Sequence, residues 1–498
     1  MGGGPDAKKM TLKELLRGCS VRAATGDLDT EILGLAYDSR AVLPGYLFFA
    51  IRGIRVDGNR FVPNAIAKSA AVVVSALEPV SSLVMPWIQV DDERAAMAAI
   101  AGNFYGHPTG KLHLIGVTGT NGKTTTTYIV ESVLRAAAKP AAVLGTIEYR
   151  GPGFDFAAER TTPEAPDLDK LFKQVVDAGW QYVVMEISSH AIEMKRVAGL
   201  NVEVAVFTNL SRDHLDFHGD METYFRAKKK MFEGLGGSRP QAMVLNMDDA
   251  RYEELRSIDP ARVISYGMQV AADIRPSRYQ FGWEGTEAMF KTPVGDLEVR
   301  TSLMGKPNLL NIGAGIGVGV ALGLPPDAII RGIHELSNVP GRFESVPGGQ
   351  RIRVIVDYAH TDDALEKVLR SAREITPGEI ILVFGCGGER DRTKRPAMGT
   401  IAARDSDYAI VTSDNPRGED PLAIIQDIEQ GMKGAKYSVI VDRREAIRSA
   451  LSRAKENDTV LIAGKGHETY QTIGTESHPF DDRLVAKELL NELNAGRN

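Results

Sequence analysis

Along most of the chain, short apolar runs alternate with stretches in which apolar positions recur every three or four residues, the pattern of strands separated by helices. The first hundred residues open with a helix around 12–16, followed by strands at 46–51, 71–75 and 87–90 and a helix over 94–105. A Gly-His-Pro-Thr-Gly run at 106–110 then breaks the pattern and reads as a linker. From 112 the order becomes strand (112–117), helix (124–138), strand (141–144), an irregular stretch, helix (168–177) and strand (182–187). Two more strands, 202–208 and 242–246, are apolar at successive positions, so both of their faces should be covered, as in a parallel sheet between helices. A second break at Val339-Pro-Gly-Arg342 precedes strands at 352–357, 380–384, 408–412, 438–441 and 460–463. The pattern therefore predicts an α/β protein of three domains, 1–108, 109–339 and 340–498, with no internal repeat.

Composition narrows the class without identifying it. At 498 residues the chain exceeds the roughly 250–300 at which a single core stops growing. A net charge of −6 excludes a nucleic-acid-binding surface spread over the whole molecule. The two cysteines, Cys19 and Cys386, supply neither a disulfide framework nor a thiolate zinc site and suit a reducing cytoplasm. The polar start, residues 1–9, has no apolar core segment and reads as a loose tail rather than a secretory signal. The uncharged run 307–326 contains Gly313, Gly315, Gly317 and Gly319, a spacing also found in packed membrane helices. Its prolines, Asn308 and Asn311 leave too short an apolar stretch to span, and a closely packed buried helix is expected instead.

The clearest chemistry lies at 116–126, Gly-Val-Thr-Gly-Thr-Asn-Gly-Lys-Thr-Thr-Thr, between a strand and a helix. Glycines let successive backbone N–H groups turn inward, and the helix presents its unpaired N–H groups to an anion. Lys123 would reach the β- and γ-phosphates, and a hydroxyl of Thr124 or Thr125 would hold Mg²⁺. Strict Walker spacing would put the first glycine at Val117, whereas it stands at Gly116, so this is a variant P-loop. The central domain is accordingly expected to be P-loop ATPase-like with a mainly parallel sheet, and the last domain Rossmann-like.

Other clusters fall just past predicted strands. The segment 211–219 carries Arg212, Asp213, His214, Asp216 and His218. His214 and His218 could form a helical zinc pair, a hard Mg²⁺ site completed by phosphate oxygens suits a neighbouring P-loop better, and a polar capping loop is the plain alternative. In the helix at 224–232, Lys229 and Lys230 read as a solvated face. Near the C-terminus, loops at 385–392, 413–420 and 463–468 offer Arg390, Arg417 and Glu468, which together could bind a zwitterion through guanidinium–carboxylate and carboxylate–ammonium pairs.

Asp38-Ser-Arg40 with Pro44-Gly45, Gly119-Thr-Asn-Gly-Lys-Thr124, Thr161-Thr-Pro-Glu164, Glu186-Ile-Ser-Ser-His190, Asn209 through His214, Asp357-Tyr-Ala-His-Thr361 and the three C-terminal loops occur in one order. In that order they resemble the Mur ligases of peptidoglycan synthesis over essentially the whole chain, most closely the members that add the third residue of the stem peptide. The resemblance implies ATP held by Gly119, Thr120, Asn121, Gly122, Lys123, Thr124, Thr125, Asn311, Arg342 and Asp357. It also implies Mg²⁺ on Thr124, Glu186, His214 and a carbamylated Lys228. Ser39 and Arg40 would meet the UDP end of UDP-N-acetylmuramoyl-L-Ala-D-Glu, and Thr161, Thr162, Ser189 and Arg196 its muramoyl-dipeptide part. Arg390, Asp414, Asn415, Pro416, Arg417, Gly464 and Glu468 would bind meso-diaminopimelate, Asp414-Asn-Pro-Arg417 being similar to the signature of members that add it. Two positions depart from the family's pattern: Asn59, where many relatives carry histidine, and Asp362, where proline is common.

The implied enzyme is a cytoplasmic, monomeric amide-forming ligase with no nucleic-acid or membrane partner. It would transfer the γ-phosphoryl group of ATP to a peptide carboxylate and let an amine attack the acyl phosphate. An L-lysine-adding ligase, a folylpolyglutamate-synthase-like enzyme and a nucleotide-switched binding protein remain alternatives. The lysine-adding reading predicts another residue at 417, the second has no need of a uridine-binding domain, and the third has no need of an amino-acid pocket.

Overall fold

The structure, a computed structural model, describes residues 10–53, 56–79, 85–259, 262–282, 285–348 and 352–495, so the expected tail at 1–9 lies outside the described residues. The chain forms two compact units. One comprises Met1–Thr118, Pro140–Ala205 and Phe225–Met243, the other Gly119–Lys139, Val206–Tyr224 and Val244–Asn498.

In the first unit a five-stranded sheet takes Val21–Thr25, Trp87–Val90, Val72–Ser75, Tyr46–Phe49 and Gly34–Ala36 in spatial order, parallel except for the first. Alternate side chains point to opposite faces of a strand. Leu47, Phe49, Val72, Val74 and Ile88 therefore pack with Leu12, Leu15, Met97 and Ile100, while Phe48, Val73 and Trp87 pack with Val62 and Ala65. The helix Glu93–Tyr105 begins where Asp92 accepts from the N–H groups of Arg94 and Ala95, and ends on Gly106 at φ 76°.

Further strands of this unit lie side by side as Phe154–Ala157, Glu148–Gly151, Ala141–Leu144, Tyr182–Glu186 and His113–Thr118. The last three are parallel and set Val117 opposite Glu186. The stretch after 144, read as irregular, is partly an antiparallel hairpin turning through Gly153 at φ 80°. Gly116 and Val117 both belong to the strand. A Cβ at Gly116 would stand 2.8 Å from the Ile187 side chain, so packing by itself requires a glycine here.

On the helix Ala165–Asp177, burial pushes the Asp169 carboxyl up to about 7. A carboxyl raised in the fold contributes stability below its unfolded value and loses it as pH climbs towards 7. Asp169→Asn is thus expected to melt above the parent protein at pH 8, with the advantage shrinking by roughly 2 kcal/mol at pH 5. Thermal denaturation of both proteins at the two pH values checks this, and a gap independent of pH would refute it.

In the second unit, the glycine-rich helix Lys306–Ala321 packs as the sequence suggested. Cβ atoms at Gly315, Gly317 and Gly319 would lie 2.4, 2.6 and 2.7 Å from Ile129, Val244 and Ile329. Among the described residues no helix is long and apolar enough to cross a membrane. An antiparallel three-stranded sheet, Arg275–Phe281, Thr286–Lys291 and Leu297–Thr301, was not anticipated, although the last two strands alternate buried with more exposed positions.

The unit's largest sheet runs Glu344–Ser345, Arg353–Asp357, Thr459–Ala463, Ile380–Phe384, Tyr408–Val411 and Tyr437–Val439, parallel after its first strand. Ile355, Leu382, Phe384 and Leu461 contribute to a core with residues of helices Asp362–Ile375, Lys394–Asp405 and Pro421–Glu429. Val354, Val356, Ile381, Val383, Val460 and Ile462 pack with those of Arg443–Arg453 and Asp482–Ala495. Helices on both faces leave the carboxyl ends of the strands, where such sheets bind ligands, free to carry loops. The register sets Asp357 beside Ala463 and Phe384 beside Val411 at that edge.

Candidate active site

The phosphate loop proper begins at Gly119, whose φ of 146° suits glycine and where a Cβ would meet Thr208 Oγ1 at 1.9 Å. Thr208 and Asn209, just past the strand Val204–Phe207, brace the loop. Thr208 Oγ1 donates to Asn121 O at 2.6 Å, the Thr120 N–H to Asn209 O at 2.8 Å, and the Asn121 N–H to Asn209 Oδ1 at 3.1 Å. Gly122, at φ 86°, starts the helix Lys123–Ala136 without a side-chain cap, which leaves N–H groups of its first turn for an anion. Lys123 Nζ donates to the loop's own carbonyls at Gly119 (3.0 Å) and Thr120 (2.8 Å). Asn311 lies against the loop, its Oδ1 accepting from Thr126 Oγ1 at 3.4 Å and its amide donating to Asn308.

Segments beyond residue 340 reach the same loop. Arg342 Nη2 donates to Thr124 Oγ1 at 3.2 Å, and its guanidinium lies over the Tyr358 ring at 4.6 Å. Asp357 accepts from the N–H groups of Phe343 and Ala359, and burial pushes its carboxyl up while Arg342 pulls against it. Gly341, at φ 65°, runs so close to the loop after Lys465 that a Cβ would stand 2.0 Å from His467 N. Asp363, not singled out from the sequence, takes hydrogen bonds from Asn121 Nδ2 (2.9 Å) and Ser211 Oγ (2.7 Å). Its neighbour Asp362 pairs with Arg212.

The three C-terminal loops meet at the sheet edge. Glu468 Oε2 accepts from Asn415 Nδ2 at 2.7 Å and from Lys465 Nζ at 3.2 Å. Lys465 has a fully buried side chain, and the sequence reading passed over it. Burial pushes the Glu468 carboxyl up, against the pull of Lys465. Asp414 Oδ2 is buried without a hydrogen-bond partner among the described residues, and a Cβ at Gly464 would come within 2.6 Å of it. Arg417, at φ 52°, donates to Gly388 O at 2.8 Å. Arg390 is exposed, its Cγ near Gly387, which Arg417 also approaches. The loops are clamped from behind by Arg395, fully buried, which bonds Glu419 and Asp427. Cys386, buried in the same region with its sulfur 3.6 Å from Met398 Sδ, has its thiol pushed up to about 12 by burial.

In the first unit, Glu186 ends its strand almost wholly buried and accepts from the Thr146 N–H (2.8 Å) and hydroxyl (3.0 Å). Thr161 Oγ1 lies 3.1 Å from that hydroxyl, and Thr162 Oγ1 donates to Glu186 O. Arg196 donates to Thr162 O and pairs with Glu164, a carboxylate that also meets Arg94 and Arg160. Ser189 is buried at the start of a short helix capped by Ser188. Ser39 and Arg40 form a turn capped by Asp38, which holds the exposed Arg40 guanidinium, and Asn59 accepts from Ser75 Oγ. Lys228 is 2% exposed, whereas the side chains of Lys229 and Lys230 are 24% and 50% exposed, with Glu233 and Glu193 as partners.

A buried carboxylate that takes hydrogen bonds from neutral groups, as Glu186 does from Thr146 among the described residues, fits a hard divalent cation. Among the described residues no three His, Cys, Asp or Glu side chains group in a way that could hold a metal, which bears on a His214–His218 zinc pair and on a Mg²⁺ site alike. His214 instead stands at φ 53° ahead of the short helix Leu215–His218, its Nε2 3.3 Å from Asp213.

Three family models match the sequence: the Mur ligase family catalytic domain over 31–105, the Mur ligase middle domain over 117–319, and the Mur ligase glutamate ligase domain over 341–466. A UDP-N-acetylmuramoyl-L-alanyl-D-glutamate–2,6-diaminopimelate ligase of Solibacter usitatus is 49% identical over 463 residues, 93% of this chain and 94% of its own. The chain belongs to the Mur ligase family. The enzyme of the same name from Geobacter metallireducens is 47% identical, covering 98% of this Mur ligase and 99% of its own length. A solved structure of a ligase of that name superposes with a TM-score of 0.69 at 30% identity, over 98% of this chain and 99% of that one. The α/β class read from apolar periodicity is thus the Mur ligase fold.

Proposed function

We propose that this Mur ligase joins meso-2,6-diaminopimelate to the D-glutamyl carboxylate of UDP-N-acetylmuramoyl-L-alanyl-D-glutamate, converting ATP to ADP and phosphate, as a cytoplasmic step of peptidoglycan precursor assembly. The observation that carries the reading is the Asp414-Asn-Pro-Arg417 loop bonded to Glu468 at the strand edge, in a chain 49% identical to a diaminopimelate ligase. A carboxylate is a poor electrophile, and phosphorylation turns it into an acyl phosphate that an amine attacks with loss of phosphate. Lys123 and the uncapped helix N-terminus orient and neutralise the phosphates, with Gly119, Thr120, Asn121, Gly122 and Thr125 lining them. Arg342 and Asp357 add contacts from beyond residue 340, and Asn311 faces the base.

Mg²⁺, when bound, lowers the charge on the transferring phosphoryl oxygens. Thr124, Glu186, His214 and Lys228, the last as a carbamate, are the residues that would hold it. Ser39 and Arg40 contact the uridine end of the nucleotide sugar, and Thr161, Thr162, Ser189 and Arg196 its dipeptide end. The three domains, 1–108, 109–339 and 340–498, divide the work between UDP, ATP and amino acid in a monomer with neither nucleic-acid nor membrane partners. For the amine, Arg417 and Arg390 pair with the distal carboxylate of diaminopimelate and Glu468 with an ammonium group, Asp414, Asn415, Pro416 and Gly464 shaping the pocket.

L-Lysine lacks that distal carboxylate and would leave Arg417 unpaired beside it, a difference on the order of 3 kcal/mol. An amine-panel assay with the UDP-linked dipeptide, ATP and Mg²⁺ is therefore expected to release phosphate about 100-fold faster with meso-diaminopimelate than with L-lysine. Equal rates would sink the assignment, and release that ignores the amine altogether would indicate a nucleotide-driven switch.

A further inference from the structure

Two of the largest fully buried side chains in the protein are arginines, Arg395 and Arg443, and the reaction as derived uses neither. Arg443 opens the helix Arg443–Arg453, and its partner Asp482 opens the helix Asp482–Ala495. The two form a forked pair, Nε to Oδ1 at 2.8 Å and Nη2 to Oδ2 at 2.7 Å, with both side chains fully buried. Taking a guanidinium and a carboxylate out of water costs enough that an apolar pair of the same volume would be at least as stabilising. Stability alone gives no reason for the pair.

What a methionine–leucine pair could not supply is the remaining donors. Arg443 Nη2 donates to Ala463 O at 3.1 Å, and Nη1 reaches Ser413 O at 3.5 Å. Ser413 immediately precedes Asp414-Asn-Pro-Arg417, and Ala463 immediately precedes Gly464 and the loop bearing Glu468. Their strands flank Ile380–Phe384 in the sheet, so one guanidinium ties together two loop origins that are not neighbours in the hydrogen-bonded order. A planar fork can hold a carboxylate and both carbonyls at once, whereas an ammonium is a point donor.

We propose that Arg443, fixed by Asp482, is a positioning residue for the incoming amino acid: it sets the separation between the Asp414–Arg417 and Gly464–Glu468 loops. The proposal rests on reading those loops as the amino-acid site. Its test is a pair of variants, Arg443→Met/Asp482→Leu and Arg443→Lys, with KM measured separately for diaminopimelate and ATP alongside thermal melting. The double variant is expected to keep its melting temperature while the diaminopimelate KM rises about tenfold or more and the ATP KM stays within about twofold. If the double variant loses its melting transition, Arg443→Lys, which retains a charge opposite Asp482, provides the same comparison. An unchanged diaminopimelate KM in the folded variant, or an equal rise for ATP, overturns the proposal. Should the wild-type protein turn over a different amine, the substrate assignment falls, and the KM for that amine decides the role of Arg443.

Discussion

Lys123→Met is expected to produce a folded protein whose turnover, followed as ADP formed with all three substrates present, is lower by roughly 10²–10³-fold. The sign follows from where the ammonium stands. It sits at the mouth of the helix Lys123–Ala136, hydrogen-bonded to two carbonyls of the loop that would enclose the phosphates. Those carbonyls are replaceable partners, so removing the ammonium should move the melting temperature little. The charge that develops on a transferring phosphoryl group has no such substitute, because methionine offers neither charge nor donor. The loss should appear in kcat more than in the KM for the peptide or the amine. A variant retaining more than about a tenth of the wild-type turnover would remove Lys123 from the phosphoryl-transfer step.

The second large effect is at Lys228. An ammonium 2% exposed has surrendered its hydration, a cost that surface lysines such as Lys230 do not incur. Conversion to a carbamate turns the charge negative and gives a hard cation two oxygens, which makes the burial useful. Lys228→Ala is expected to lower turnover by about 10²-fold or more, the scale on which metal-site residues act. Added short carboxylates such as acetate should restore a measurable part of it. A carbonyl resonance gained by the wild-type protein in ¹³C-bicarbonate, and absent in the variant, would report the modification directly. Full activity of Lys228→Ala with and without carboxylate would end the idea.

Much of the site was legible because its chemistry sits in contiguous runs. Gly119 through Thr125 could be read as part of a phosphate loop from its glycines, Lys123, the threonine hydroxyls and the strand and helix on either side, and apolar runs such as 380–384 and 460–463 announced the strands that carry the C-terminal loops. What escaped were contacts between residues far apart in the chain. Asp363 on Asn121, Thr208 on Asn121 and Lys465 on Asn415 leave no local signature, since an aspartate in the first turn of a helix is ordinary by itself. Gly116 carries a packing requirement that the motif reading did not show: a Cβ there would meet Ile187. The hairpin at 148–157 was missed because its outer strand turns mostly exposed side chains outward, and no run of apolar residues marks it.

Cys386 has a consequence of a different kind. With its thiol held up near 12 and its sulfur packed on Met398, it carries almost no thiolate at neutral pH, and electrophiles and oxidants act on the thiolate. The folded chain therefore shields the sulfur until the Phe384–Gly388 segment opens. Alkylation at that position becomes a clock for local unfolding beside the amino-acid loops, readable without any introduced label.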